Sequence, residues 1–458
     1  MRNFDAIVIG SGQAGPSLTA RLTGAGLSVA FIEREHFGGT CVNDGCIPTK
    51  TLVASAQAAH MARRAGDYGV RITGSIDVDM KAVKARKDEI SGHSRSGVEK
   101  WLRGMQGCTI FWGSARFTGP KQVAVNGEDL TAEKIFINVG GRPTVPPIPG
   151  LDQVPYLTNT SMMQVDFLPE HLVILGGSYV GLEFAQMYRR FGSAVTLIEA
   201  LPRLVAREDE DISAEVAKIL AQEGIAINLG AKASSIARKG NGITVEIETS
   251  SGRAEVAGSH LLVAIGRRPN TDGLGLDQAG VKVDARGFIE VDDELRTSAP
   301  GIWALGDCNG RGAFTHTSYN DYEIVAANLL DNDPRRVSDR IMAYALYIDP
   351  PLGRAGLSQA EARNSKRPTL VANWPMGGVG RAVERGETEG FMRILVDRDS
   401  KHIVGASLLG LNADEVVHEI LDLMYAKAPY TTLQRAMHIH PTVSEYLPTM
   451  LGSLKPLE

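Results

Sequence analysis

Three things are scarce in this chain. It has four cysteines in 458 residues, too few for a disulfide-braced scaffold, so any paired cysteines are expected to serve metal binding or redox chemistry. No run of ~18 apolar residues passes without a charge, which leaves no candidate membrane span. There is also no long basic stretch: Lys plus Arg number 48 against 53 for Asp plus Glu, a formal net charge of −5. Nucleic acid is therefore not expected as a main partner. The opening MRNFDAIVIGSG puts Asp5 inside what would be the apolar part of an export signal, so a cytoplasmic location is expected.

Glycine is plentiful, 50 residues, against an average usage of about 7%. Something in the fold needs tight turns and close backbone approach. The length fits about three domains, and the 43% hydrophobic and 22% charged content excludes a disordered or fibrous chain.

Phe4 to Ile9 is an apolar run ending at Gly10, an amphipathic stretch follows to about Gly26, and Leu27 to Ile32 is a second apolar run closed by Glu33. The pattern predicts strand, helix, strand. It recurs at His171 to Leu175, Gly176, a helical stretch with Val180, Phe184, Met187 and Phe191 on one face, then Ala194 to Ile198 and Glu199. Duplication of one βαβ unit explains both. Val145 to Pro155 reads as a junction, Ser55 to Trp101 as helical, and DNDPRR (Asp331 to Arg336) as another break. Beyond it, strands are predicted at Thr369 to Trp374, Phe391 to Val396 and Ile403 to Leu409, with a helix at Ala413 to Ala426.

Gly10, Gly12 and Gly15 follow a strand and open a helix, with Glu33 at the next strand's end. In that context GxGxxG brings a pyrophosphate onto helix N–H groups, and the carboxylate accepts from a ribose hydroxyl. The second copy, Gly176, Ser178 and Gly181, carries a side chain at the middle position. TSAPGIWALGD (Thr297 to Asp307) reads as a turn, a buried strand and then Gly306-Asp307 at a helix start.

The chemistry concentrates in GGTCVNDGCIPTK, Gly38 to Lys50. Cys41 and Cys46 lie five positions apart, roughly 140° around an ideal helix, so a disulfide between them requires a distorted turn. The rival is a zinc half-site, but Cys108 and Cys308 stand singly and no second pair completes four ligands. A helix starting near Cys46 would favour its thiolate.

Cys41-x4-Cys46 followed by IPTK, the two glycine motifs, GRRPN (Gly266 to Asn270), TSAPGIWALGD and the terminal His438-Ile-His440-Pro-Thr-Val-Ser-Glu445 together resemble the FAD-dependent pyridine nucleotide–disulfide oxidoreductases, across essentially the whole chain. Within that family, IPTKTLVASA and FTHTSYND (Phe314 to Asp321) look most like the mercuric-reductase-like and reactive-chlorine-resistance members. The resemblance implies an α/β chain with two Rossmann-like domains, for FAD and NAD, and a C-terminal α+β dimerisation domain. Its expected divisions are 1–150 and 271–337 for FAD, 151–270 for NAD(P) and 338–458 for dimerisation.

The same resemblance implies residue roles. Cys46 would be the thiol against the flavin and Cys41 the thiol that attacks substrate, with Lys50 and Glu183 paired beside the flavin. Tyr179 would be the ring that moves aside for nicotinamide. Asp307, with Gly306, Thr40, Ala115 and Gly140, would hold FAD; Glu199 and Gly266 would belong to the nicotinamide nucleotide site. His440, oriented by Glu445, would act in the partner subunit of a homodimer. Glu199 predicts NADH over NADPH, because a carboxylate repels a 2′-phosphate.

The expected reaction takes electrons from NAD(P)H through FAD and a Cys41–Cys46 disulfide to a small disulfide. A Hg(II), Cu(II) or oxidant reductase using the same thiols is the first alternative; the tail LGSLKPLE lacks the paired cysteines of mercuric reductases. A redox-sensing or scaffold flavoprotein without turnover is the second.

Overall fold

The computed structural model describes residues 1–458. Strand β1 (Arg2–Ile9), helix α1 (Ala14–Gly24) and strand β2 (Val29–Glu33) form the first parallel crossover unit. Every residue of β2 is buried, as a parallel strand covered on both faces requires. The strand Cys108–Trp112 pairs outside β2, and β3 (Glu128–Ile137) runs parallel on the other side of β1.

The second unit repeats the first with β4 (His171–Leu175), α5 (Tyr179–Phe191) and β5 (Ala194–Ile198), flanked by Ala226–Asn228 and by β6 (His260–Val263) in one parallel four-stranded sheet. An antiparallel meander spanning Lys232 to Gly258 packs beside it. After this unit the chain returns to the first sheet: β7 (Ile302–Ala304) pairs with the C-terminal end of β3. A six-stranded sheet with Ile403–Leu409 near its middle, covered by the helix Ala413–Tyr425, forms the C-terminal part. No helix is long and apolar enough to cross a membrane.

The duplication is visible atom by atom. Gly10 (φ +101°) lies so close to Asn138 that a Cβ would sit 2.3 Å from its carbonyl oxygen; Gly176 (φ +112°) meets Ala264 O in the same way at 2.4 Å. A Cβ on Gly15 would sit 2.2 Å from Gly10 O, and one on Gly181 2.0 Å from Gly176 O. In each unit two glycines let the strand, the turn and the helix close on one another.

One expectation is corrected. The stretch from Ser55 to Trp101 is not continuous helix: α3 (Cys46–Arg64) ends in a short 3-10 turn, and α4 (Met80–Arg103) starts afresh, its N-terminus capped by Asp79 accepting from the Lys81 and Ala82 amides at 2.9 and 3.1 Å. Gly69 and Gly74, both at positive φ, lie in the break, where the left-handed backbone ends a helix.

Candidate active site

The C-terminal ends of both parallel sheets open into one cleft of about 2450 Å³, where open α/β sheets bind ligands. Gly10, Gly12, Glu33, Thr40, Ala115, Gly140 and Asp307 line one part of it; Gly176, Tyr179, Glu199 and Gly266 line another. Gly15, Gly181 and Gly306 do not reach the cleft surface and act one layer back. A Cβ on Gly306 would sit 2.7 Å from Ser318 Oγ.

The residues fit a dinucleotide. Neither α1 nor α5 has a side-chain cap at its N-terminus, so their first amides are left for a ligand, and the aligned peptide dipoles favour a pyrophosphate there. Glu33 accepts from the Ser11 amide (2.9 Å) and hydroxyl (2.5 Å) and from the Arg34 and Glu35 amides (2.7 and 2.8 Å), which fixes its carboxylate at the end of β2. Glu199 is fixed in the same manner by the Gly177 and Leu201 amides at 2.6 and 2.7 Å. Burial raises the pKa of Asp307, opposed by the nearby Arg267 guanidinium, whose Nε is 4.0 Å from its carboxylate.

The cysteines sit where two helices meet. A short helix α2 (Gly39–Asn43) holds Cys41, the chain breaks at Asp44-Gly45, and α3 begins at Cys46. Gly45 makes the break possible: its backbone (φ −128°, ψ −121°) is unusual, and a Cβ would sit 2.8 Å from Thr40 O. Gly39 packs against the first glycine loop, with an added Cβ 2.8 Å from Gly12 Cα. The thiols are thereby carried to the dinucleotide loop.

Both thiols are free, so the pair is described in its reduced state. The neighbouring Cys41 thiol is the largest of the influences that lower the Cys46 pKa to about 6, against the opposing effect of burial. The Thr315 hydroxyl, 3.1 Å from Cys46 Sγ, and the Lys50 ammonium act in the same sense. Cys41 is pushed in the opposite direction, first by the neighbouring Cys46 and then by burial. Both directions favour charge on Cys46 over charge on Cys41.

Lys50, one turn into α3, donates to both Glu183 oxygens at 2.9 and 2.8 Å and lies 4.6 Å from the Tyr347 ring centroid. Glu183 is buried and also accepts from the Tyr347 amide at 3.1 Å. Tyr179 stands edge-on to Phe314 and Tyr344, with centroids 5.9 and 5.5 Å away. Burial raises its pKa to about 12, so its hydroxyl stays neutral. Tyr344 in turn donates to the buried Glu208.

His440 lies outside this cleft. Its side chain is 79% exposed, and its Nδ1 bonds to the Glu445 carboxylate at 2.9 Å. Beside it, Met437 and Ile439 are 98% and 80% exposed. Sequence reasoning found Cys41, Cys46, Lys50 and Glu183 but missed Thr315, Gly45, Arg267, Tyr344 and Tyr347. The FTHTSYND run that contains Thr315 was the available signal.

Residues 4–321 match the family model for pyridine nucleotide-disulphide oxidoreductases, and residues 342–451 match the dimerisation domain of the same family. The chain belongs to this family and is an FAD-dependent NAD(P)H–disulfide oxidoreductase. It is 36% identical to the probable pyridine nucleotide-disulfide oxidoreductase RclA of Escherichia coli, over 99% of this chain and 100% of that one. It is also 36% identical to a mercuric reductase of Streptomyces lividans (97% and 94% covered) and 34% identical to a dihydrolipoyl dehydrogenase of Thermus scotoductus (98% and 96%). A solved Cu(II) complex of the HOCl-induced flavoprotein disulfide reductase RclA superposes with a TM-score of 0.90 over 99% of each chain.

The hydrogen bond from Thr315 leads to a first prediction. The ultraviolet absorbance of the Cys46 thiolate in the reduced protein should disappear as pH falls through about 6, because the lowered pKa belongs to an acid that is charged above it. Removing one hydrogen bond to a charged sulfur with Thr315→Val should move the midpoint up by roughly one pH unit. A wild-type midpoint in the ordinary thiol range, or no shift in the variant, contradicts the assignment.

Proposed function

We propose that Cys41 and Cys46 form the redox pair that reduces a small disulfide, and that the chain works as a homodimer with NADH as the preferred reductant. The observation that carries this reading is the placement of the two thiols, with Cys46 at the start of α3 and the Thr315 hydroxyl 3.1 Å from its sulfur. Bound FAD supplies two-electron transfer between nicotinamide and the dithiol. Gly10, Gly12, Glu33, Thr40, Ala115, Gly140 and Asp307 bind it, while Gly176, Glu199 and Gly266 serve the nicotinamide nucleotide. Residues 1–150 and 271–337 are assigned to the first site, 151–270 to the second and 338–458 to dimerisation; the return of β7 to the first sheet supports that division.

Within this scheme Lys50, held by Glu183, keeps a positive charge close to the Cys46 thiolate, and Tyr179 covers the nicotinamide side of the cleft until the nucleotide displaces it. Cys41 attacks the acceptor once a base removes its proton. That base is His440 of the other subunit, with Nδ1 occupied by Glu445 so that Nε2 is left to accept. The exposure of His440 and its position outside its own cleft support this assignment. A dithiol that must be re-reduced suits a reducing compartment such as the cytoplasm.

A second reading has the same thiols reduce a metal ion such as Cu(II). It is favoured by the Cu(II) complex of the RclA relative. Steady-state turnover of NADH with disulfides and with Cu(II), in wild type and Cys41→Ser, separates the two readings.

Of the two arginines after Glu199, Arg203 is turned to Glu210 at 3.3 Å and only Arg207 lines the cleft. The Glu199 carboxylate therefore keeps most of its repulsion for a 2′-phosphate, and kcat/KM should favour NADH by about tenfold or more. A tenfold advantage for NADPH contradicts this.

The exchange of His440 between subunits predicts complementation. Cys41→Ser and His440→Ala homodimers should both lose disulfide turnover, the latter by about 10²–10⁴ as for a lost acid/base. Verified heterodimers of the two should recover toward half of wild type, since one of their sites has both residues intact. If both residues served one subunit, mixing would restore nothing.

A further inference from the structure

One face of α5 is bonded, turn by turn, to the segment that enters the C-terminal sheet. Tyr179, Glu183, Gln186 and Arg190 are each three or four positions apart, which places them on one side of the helix. Glu183 accepts from the Tyr347 amide at 3.1 Å. Gln186 accepts from the Asp349 amide and donates to its carbonyl, both at 2.7 Å, and Arg190 reaches the Asp349 carboxylate at 2.5 Å. Glu183, Gln186 and Arg190 are all buried, so their bonds fix the segment against the helix. Tyr179, at the helix start, is half-buried and meets the same segment with its ring.

That ring stands against three others. Tyr344 and Phe314 are nearly parallel, at 15° with centroids 5.4 Å apart, and Phe314 and His316 likewise, at 10° and 5.3 Å. Tyr179 crosses Phe314 and Tyr344 at 84° and 90°, the edge-on geometry in which ring quadrupoles attract. The three parallel rings form an anchored wall. His316 Nε2 donates to Ala343 O at 2.7 Å, and the Tyr344 hydroxyl donates to Glu208. The Glu208 side chain is fully buried, 3.6 Å from the Arg354 guanidinium. Arg354 lies opposite Tyr344 on the neighbouring strand and donates to Ser407 within the six-stranded sheet. Tyr344 is therefore held from behind and cannot follow Tyr179 when that ring swings.

We propose that Tyr344 is a positioning residue for the nicotinamide step: with Phe314 it holds the Tyr179 ring in place, so that the resting protein is closed to nicotinamide and the nucleotide enters by breaking two ring contacts. This inference rests on the reading of Tyr179 as the ring that the nucleotide displaces. A ligand that needs the open form binds with an apparent affinity reduced by the open fraction. Loosening the wall raises that fraction and tightens binding, although it adds no contact to the ligand.

The test compares two ligands of the oxidised holoprotein by titration calorimetry. Tetrahydro-NADH carries a reduced nicotinamide ring that cannot give up hydride; ADP-ribose has no such ring and leaves the gate where it is. The readout is the ratio of their affinities. Tyr344→Leu should shift it toward tetrahydro-NADH by about 3- to 10-fold, the worth of one edge-on ring pair, through a lower Kd for that ligand alone. Phe314→Leu removes the other edge contact and should do the same, which keeps the test open where one variant fails to bind FAD. Tyr344→Phe retains the ring and should stay within about twofold of wild type. Tyr179→Ala should raise the ratio by itself, and adding Tyr344→Leu or Phe314→Leu to it should change nothing further.

An equal change for both ligands overturns the proposal, since it assigns Tyr344 to the packing of the whole nucleotide site. A Tyr344→Leu effect that persists in the Tyr179→Ala background overturns it too, because Tyr344 would then act on nicotinamide without the gate. So does an unchanged ratio in both Tyr344→Leu and Phe314→Leu while Tyr179→Ala raises it. If Tyr179→Ala leaves the ratio at the wild-type value, the reading of Tyr179 as the moving ring fails, and the proposal with it.

Discussion

The negative charge on the Cys46 sulfur is the constraint around which the rest of the site is arranged. Burial opposes that charge and Glu183 repels it; the Cys41 S–H, the Thr315 hydroxyl and Lys50 favour it. Cys46 is also the first residue of α3, where the helix dipole favours an anion. These groups come from distant parts of the chain. Thr315 begins the helix Thr315–Ala326, Glu183 lies within α5, and Tyr347, which touches both Lys50 and Glu183, belongs to the C-terminal part. The fold serves to bring them onto one sulfur, and the asymmetry between the two thiols gives each a different task.

The duplicated units perform the same backbone operation with one difference. Both need glycine at the strand end and in the first turn of the helix, where an added Cβ would run into a carbonyl oxygen at 2.0 to 2.4 Å. The middle position differs, Gly12 in one and Ser178 in the other. A Cβ on Gly12 would crowd Asn138 Nδ2 at 3.1 Å, and Gly39 packs directly on that loop. The first unit is the tighter of the two at this position, with the Asn138 amide against the loop and Gly39 packed on it.

Much of this was legible in the sequence because it is local. Strand ends, glycine spacing and the Cys41-x4-Cys46 pair lie within windows of a few tens of residues, and the strands His171–Leu175, Ala194–Ile198 and Ile403–Leu409 fell where hydrophobic runs placed them. The break between α3 and α4 was not legible by composition, because Ala, Lys and Arg outweigh Gly69 and Gly74 across that span. Thr315 is 269 positions from the sulfur it bonds, and the FTHTSYND run around it does not say which residue of the run meets the thiols. Gly15, Gly181 and Gly306 lie behind the cleft surface, since a motif marks required glycines without saying whether ligand or backbone requires them.

The account stands on Cys41 and Cys46 cycling between dithiol and disulfide under NADH. The direct measurement is to take the air-oxidised holoprotein, add NADH without oxygen, quench with an alkylating reagent and map each cysteine by mass spectrometry. Cys41 and Cys46 should be linked to each other and closed to alkylation before NADH, and both alkylated after it, while Cys108 and Cys308 show no NADH dependence. Cys41 and Cys46 alkylated to the same extent with and without NADH would contradict the account.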